Sequence, residues 1–214
     1  RGVLSEAALL WADLLNGDFA GFIMSNSNLS GTNLHGVNFE GADLRRSILH
    51  DAKLSSTLLR NTDLRETVLT HADLRGLDLR SVRLQGAQMA KAILAKAVLA
   101  GSDLTGVNFQ EADLAGMDFT GTCLDGVSFR GADLRNTCLA GLDLSGLDFS
   151  GAILTGADLA GANLQGANLT NANLTDANLK GTDLDDAEMQ GAITDGAVLP
   201  VKKQLSRWLG GKRK

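Results

Sequence analysis

The 214-residue sequence is poor in several residue types on which other classes of protein depend. It has no tyrosine, one proline and only 4% aromatic residues, against 25 glycines. No run approaches the roughly 18 to 20 apolar residues that a membrane span needs. Its two cysteines, Cys123 and Cys138, are too few for a disulfide framework, which favours a reducing compartment and predicts a cytoplasmic protein. The alternative, since the sequence begins at Arg1, is a targeting segment that has been removed.

A five-residue repeat occupies most of the chain. Every fifth position from Leu4 to Met189 is Leu, Phe or Met. The residue two places earlier is mostly small, the residue one place earlier is mostly Asp or Asn, and 20 of the 25 glycines lie two places later, between Gly21 and Gly191. Such strict internal repetition is typical of solenoids, in which stacked repeats bury a continuous column of side chains.

Neither a helix nor a flat strand accommodates this period. Regular glycines cost a helix about 1 kcal/mol each, and an odd period sends successive leucines to opposite faces of a strand. The pattern instead predicts a chain that turns a corner every five residues and points one small and one large residue inward from each side. The positions that hold Leu, Phe or Met every five residues are named here the large column, and its six phenylalanines all have numbers ending in 9. This parity predicts four-sided coils of twenty residues. Phe109, Phe129 and Phe149 are then stacked on one face, with Phe119 opposite.

The repeats written ADLAG, ANLQG and ANLTN resemble those of the pentapeptide repeat family, and the resemblance covers about residues 18–191. It implies an all-β protein, a right-handed quadrilateral β-helix. The length of the repeated span predicts about 8 to 9 four-sided coils, and its uninterrupted register predicts no projecting loops. We expect a bacterial protein.

Both ends of the sequence predict helical caps for the exposed edges of the solenoid. In residues 1–17, apolar Leu10, Trp11 and Leu15 replace outward polar residues, which favours a capping helix near 6–15. In residues 192–214, Thr194 interrupts the leucine column, and a basic amphipathic helix is predicted beyond Pro200. Its apolar face could cap the last coil, join two rods as a homodimer, or touch an anionic membrane. That face consists of Val201, Leu205, Trp208 and Leu209.

Candidate catalytic residues are few. His35, His50 and His71 all fall in outward columns, and Asp51 and His71, twenty residues apart, are predicted to form a weak surface pair rather than a catalytic dyad. Cys123 and Cys138 fall on different sides, which disfavours a disulfide or a metal site. A filled rod offers no concave site, so we expect no enzyme activity, no cofactor, no metal and no small-molecule substrate.

Charge divides the chain into three segments. Residues 1–100 carry net charge +1, residues 101–198 carry −12, and residues 199–214 carry +6. Asp43, Arg45, Asp63 and Arg65 are predicted to form a mutually neutralising patch on one side of adjacent coils. The second half predicts an acidic partner-binding surface made of Asp103, Asp113, Asp118, Asp133, Asp143, Asp148, Asp158 and Asp183.

Two interpretations of this acidity remain open. In the first, Asp and Asn serve solubility and bond the backbone of the adjacent turn, and the protein is a rod or scaffold that binds a protein partner. In the second, the resemblance to gyrase-protecting members of the family implies a DNA mimic that binds DNA gyrase or topoisomerase IV and protects against quinolones or peptide toxins. The acidic body argues against nucleic-acid binding, and a membrane partner is the weakest option for the basic end.

Overall fold

The computed structural model describes residues 2–200, and these residues form one continuous four-sided β-solenoid. Each side is three residues long, and its central residue makes a parallel single-residue bridge to the residue twenty places along the chain, as between Val3 and Ile23 or Asn178 and Val198. Every bridge has this twenty-residue offset, which confirms the predicted coil and the absence of projecting insertions within the described residues. The described residues form about ten coils rather than the predicted 8 to 9, because residues 2–17 and 192–200 also join the solenoid. At a spacing of roughly 4.8 Å the rod is about 48 Å long.

The four faces are named by the outward residue at the centre of each side. Face 1 carries residues 3, 23, 43 and so on to 183; face 2 carries residues 8 to 188, face 3 residues 13 to 193, and face 4 residues 18 to 198, each in steps of twenty. Corner 1 follows face 1 and holds residues 5 and 6 of the first coil, 25 and 26 of the second, and their equivalents. Corners 2, 3 and 4 follow the other faces in the same way.

Each corner is a tight turn that the repeat sequence specifies. The large inward residue accepts a hydrogen bond from the backbone three residues later, as between Leu154 C=O and Ala157 N–H at 3.0 Å. The second corner residue has positive φ, which is 68° at Gly156. Turns of this kind require a left-handed residue in their third position, which explains why the glycines follow the period.

The large column fills the interior of the rod. From Met24 to Leu179 its members are fully buried or nearly so, and the mostly small residues two places before them are packed beside them. Phe129 stacks on Phe109 and Phe149 with ring centroids 5.8 and 5.1 Å apart, and Phe119 meets Phe129 edge-on from the opposite side at 5.7 Å. This arrangement confirms the side assignment made from the sequence.

The ladder of bridges is unbroken on faces 2 and 3 but interrupted on faces 1 and 4. Within the described residues, bridges are absent at four places: between 58 and 78, 83 and 103, 98 and 118, and 123 and 143. At three of them the small inward position of the later coil holds a large side chain, namely Leu77, Met117 or Leu142. Face 3, by contrast, has Ala in nearly all of these positions, so its coils approach closely.

The predicted N-terminal helix at 6–15 is wrong, because these residues form the first coil. Leu9 N–H bonds to Asn28 C=O at 2.7 Å, and Asn28 N–H bonds to Ala7 C=O at 2.8 Å. The Ser5 hydroxyl lies 3.4 Å from the Ser25 hydroxyl of the next coil. A ten-residue helix is marginal by itself, whereas the coil bonds to its neighbour along all four sides.

The apolar residues that suggested this helix lie outward on the first coil. Leu10 and Leu15 are about half exposed, and Trp11 is 73% exposed. The Trp11 ring lies over Gly31 of the second coil, leaving no room for a Cβ there.

At the other end, the coil continues through the predicted break at Thr194. Thr194 C=O accepts the turn bond from Ala197, and Asn178 bridges Val198. The C-terminal helix predicted over Val201, Leu205, Trp208 and Leu209 lies outside the described residues. Within residues 2–200 there is no helix of the length and hydrophobicity that a bilayer crossing requires.

Candidate protein-binding surface

The eight aspartates predicted to bind a partner lie on all four faces of the rod. Face 1 carries Asp103, Asp143 and Asp183; face 2 carries Asp148; face 3 carries Asp113 and Asp133; and face 4 carries Asp118 and Asp158. The structure therefore brings together only those that share a column. No flat partner could contact all eight at once.

Each of these aspartates has a structural role at its corner. Its Oδ1 accepts a hydrogen bond from the backbone N–H two residues later, for example from Thr120 to Asp118 at 2.8 Å and from Ala115 to Asp113 at 3.3 Å. The same bond is made by all eight side chains. Asn163 does the same for Gln165 N–H at 3.1 Å, so either residue type satisfies the turn. The hydrogen bonds to the turn backbone that were predicted for the Asp and Asn column are thereby confirmed, and charge is the property that distinguishes the two residue types.

Arginine neutralises several of the aspartates within the same coil. In the triplet Asp133-Leu134-Arg135, the guanidinium donates from Nε and Nη2 to both carboxylate oxygens, and these bonds lower the pKa of Asp133. Four more Asp-Leu-Arg triplets, beginning at Asp43, Asp63, Asp73 and Asp78, form the same fork. The sequence contained this signal, a cation two places after the column aspartate, but the prediction treated Asp133 as a free charge.

The predicted neutralising patch of the first half is confirmed and extends one coil further. Asp63 lies 2.7 Å from Arg65, 3.9 Å from Arg45 and 3.7 Å from Arg83, so three guanidiniums surround one carboxylate. Burial opposes ionisation of Asp63, but hydrogen bonds from Arg65 outweigh it and leave the pKa below its usual range. Arg46 pairs with Glu66 at 2.9 Å beside this group.

A longer run of acidic groups remains on face 1 and corner 1 of the second half. It is formed by Asp103, Asp125, Asp143, Asp183, Asp185 and Asp186 and is named here the acidic strip. From residue 101 to 200, no Lys or Arg lies on this face or this corner. The pKa of Asp103 is lowered by hydrogen bonds from Thr105 and Gln85, and that of Asp143 by hydrogen bonds from Ser145, so both carboxylates stay ionised. The corner residues of the strip were missed because they lie outside the Asp and Asn column.

The histidines and cysteines lie at scattered surface positions. Asp51 pairs with its neighbour His50 at 3.1 Å and not with His71 as predicted, because the His50 ring meets the His71 ring edge-on across the coils at 5.5 Å. Cys123 lies on face 1 and Cys138 on face 4, and both are free thiols. Among residues 2–200 there is no group of three or more His, Cys, Asp or Glu side chains suited to hold a metal ion.

A surface recess lies beside one gap in the ladder of bridges. It has a volume of about 370 Å³ and lies between Leu58 and Asp78, where the bridge is absent. Leu58 is 52% exposed beside it. The lining of the recess includes Glu40, Arg60 and Ser81.

Comparison with known proteins places the solenoid among characterised repeats. The family profile described as "Pentapeptide repeats (8 copies)" matches residues 12–51, 47–86, 83–121, 112–151 and 152–191. None of the curated proteins matches the sequence.

Several solved structures are similar to the chain. HetL, a pentapeptide repeat protein involved in heterocyst differentiation regulation from the cyanobacterium Nostoc sp., is 30% identical, with 93% of this chain and 91% of HetL covered and a TM-score of 0.40. A trypsin-treated form of QnrB1, a plasmid-mediated fluoroquinolone resistance protein, is 18% identical over 98% of this chain and 97% of QnrB1, with a TM-score of 0.52. Rfr23 from the cyanobacterium Cyanothece 51142 is 24% identical over 80% of this chain and 90% of Rfr23, with a TM-score of 0.22.

Proposed function

This chain belongs to the pentapeptide repeat family, and from that premise we propose that it is a non-enzymatic rod that binds a protein partner through its outer faces. The observation that carries the proposal is the filled interior. The large column leaves no internal site, so recognition falls to the outward residues that the repeat does not constrain. Two unpaired cysteines support a cytoplasmic protein.

The acidic strip is the surface that we propose for this partner. Like charges 5 to 10 Å apart repel by a few tenths to about 1 kcal/mol per pair in water, and a basic partner would relieve that repulsion. The adjoining patch, in which Arg45, Arg65 and Arg83 surround Asp63, has no excess of negative charge to offer to a cationic surface. The expected partner is therefore a protein with a basic groove or stripe.

The test of this proposal uses a variant that keeps the fold and removes charge. Asp103→Asn, Asp143→Asn and Asp183→Asn together preserve the acceptor at each turn. The native chain and this triple variant are used to capture partners from a lysate, and a captured protein is then purified and titrated against both. Binding that falls at least tenfold in the variant supports the proposal, and binding of equal strength by both chains contradicts the assignment of the strip.

A second candidate function is binding to DNA gyrase or topoisomerase IV. The observation that favours it is the strip itself, a cation-free line of carboxylates from Asp103 to Asp183, which extends over four coil spacings or about 19 Å. A line of negative charge along a rod is the feature that a DNA-binding saddle accepts. A gyrase supercoiling assay with the purified chain decides the matter: inhibition at micromolar concentration, lost in the triple variant, supports it, and the absence of inhibition dismisses it.

A further inference from the structure

We propose that residues 201–214 fold back over the last coil and close the open end of the rod. The last coil comprises residues 181–200, and the segment that follows is joined to it directly at Pro200. Three features of this end support the proposal, namely unpaired backbone groups, half-buried core side chains and a ring of carboxylates.

The backbone of the last coil has an unpaired edge. In the preceding coil, Leu164 N–H donates to Asp183 C=O at 2.8 Å, and Asp183 N–H donates to Ala162 C=O at 3.1 Å. The groups that are equivalent to Leu164 N–H and Ala162 C=O in the last coil have no partner within residues 2–200. They are the N–H groups of Leu184, Met189, Thr194 and Leu199 and the C=O groups of Thr182, Ala187, Ala192 and Ala197. Soluble proteins cover such edges, because an open edge pairs with other chains.

The large column loses its cover at the same end. Leu179 is fully buried, whereas the members of the last coil that follow it are half-buried, namely Leu184, Met189 and Leu199. Apolar core surface therefore becomes accessible within a single coil. An apolar segment that lies across this end would remove that surface from water.

An acidic rim surrounds this exposed core. Residues 181–200 contain five Asp and Glu and no Lys or Arg, whereas residues 201–214 contain six Lys and Arg and no Asp or Glu. The five, named here the acidic rim, are Asp183, Asp185, Asp186, Glu188 and Asp195. The nearest preceding cation in the chain is Lys180, on corner 4. Side-chain charges of −5 and +6 on two adjoining parts of the chain are complementary.

The segment fits this end in pattern and length. The apolar face of the helix predicted beyond Pro200 runs from Val201 to Leu209, and Lys202, Lys203 and Arg207 lie between its members in sequence. Nine helical residues extend over about 13 Å and a side of three extended residues over about 10 Å, so the helix is long enough to cross the coil. Its apolar face then covers the large column, and the cations lie beside the acidic rim.

Direct attachment favours the rod's own end over that of a second copy. A segment held by a short connection is present at an effective concentration in the millimolar range, about a thousandfold above that of a separate chain at micromolar concentration. We therefore expect the contact within one chain.

Closure also affects the acidic strip, because Asp183, Asp185 and Asp186 belong to both the strip and the acidic rim. The segment then competes with a basic partner for this end of the strip, a consequence that rests on the proposed function. A chain in which closure is lost should bind that partner more tightly than the native chain, and equal binding by both chains would contradict the competition.

Tryptophan fluorescence of the full chain tests the closure itself. The chain has two tryptophans, and Trp11→Phe leaves Trp208 as the single reporter. The emission of Trp208 should be blue-shifted relative to that of the urea-unfolded chain. The shift should be the same at every protein concentration, with a sedimentation mass that stays at the monomer value of 22.4 kDa.

Two double variants, made in the Trp11→Phe chain, identify the contact. Leu205→Ala with Leu209→Ala removes two apolar side chains from the proposed contact, so Trp208 should lose its blue shift. The amides of Glu188 and Val198, which donate to the preceding coil at 2.9 Å, should then exchange with solvent on the order of tenfold faster as the last coil frays. Gln204→Ala with Ser206→Ala changes two polar residues of the same segment and should leave both readings unchanged.

Three results would overturn the proposal. Emission of Trp208 equal to that of the unfolded chain would contradict closure. A blue shift that appears only together with a dimer mass would assign the segment to end-to-end pairing of two rods, and one that appears only with phosphatidylserine vesicles would assign it to an anionic membrane. These readings need no partner, so failure of closure is distinguishable from failure of the proposed function.

Discussion

Asp158 allows the structural and electrostatic roles of the repeat aspartate to be separated. Its Oδ1 accepts two hydrogen bonds, one from Ala160 N–H at 3.1 Å and one from the Asn178 side chain of the next coil at 2.9 Å. Asp158→Ala removes both acceptors, and a typical net value of about 1 kcal/mol per bond predicts a loss of about 2 kcal/mol. Asp158→Asn keeps an oxygen in the same place and should cost less than about 0.5 kcal/mol.

Urea denaturation of the three chains, followed by circular dichroism, measures these differences. At this chain length, 2 kcal/mol corresponds to a fall in melting temperature of about 4 to 8 °C. The reasoning would be refuted if Asp158→Asn were as destabilising as Asp158→Ala. That result would mean that the corner needs the negative charge, and the alternation of Asp and Asn along the columns would then lose its explanation.

Further predictions concern the core, the corners, the ladder and acid. Phe129→Ala should cost about 3 to 5 kcal/mol by urea denaturation, because its ring is fully buried between two stacked rings. Gly141→Ala should cost about 1 kcal/mol in the same assay from its φ of 70° alone, since nothing lies within 4 Å of an added Cβ. Hydrogen exchange should be faster at Leu59 N–H, beside a ladder gap, than at bridged amides of face 3. The Arg80 fork lowers the pKa of Asp78 from 3.8 to about 2, so the contribution of this ion pair to the free energy of unfolding is complete above pH 3.8 and is lost as pH falls towards 2. Solvent exposure keeps that contribution below about 1 kcal/mol. Arg80→Gln should abolish this part of the acid dependence of unfolding.

The main architecture could be predicted because one short rule governs the chain. A five-residue period fixes the corner, and the parity of the phenylalanines fixes the number of sides. Phe119 and Phe129 meet across the interior as that parity requires. The confirmed offset of twenty then determines every column, including the contact between Arg45 and Asp63.

The first coil was predicted incorrectly because the surface pattern changes there while the inward pattern does not. Leu10 and Trp11 replace polar corner residues and suggested one face of a helix, yet Leu9 and Leu14 keep the register of the large column. Backbone bonding to the second coil decides the outcome, and outward side chains do not affect it. In a solenoid, the inward register is therefore the better predictor of where coils begin.

The features that the sequence did not reveal depend on how neighbouring coils separate. Bulky Leu77, Met117 and Leu142 were visible in the small column, but only packing shows that three of the four ladder gaps lie beside them. All four gaps fall on faces 1 and 4, the two faces that flank corner 4, whereas the alanine-rich face 3 has none. Cys123 and Asp143, one coil apart on face 1, form one of these unbridged pairs, so the acidic strip lies on a side where the backbone is held less tightly. The corner bonds of Asp103 and Asp143 hold each side chain in place although the bridges from Arg83 to Asp103 and from Cys123 to Asp143 are absent.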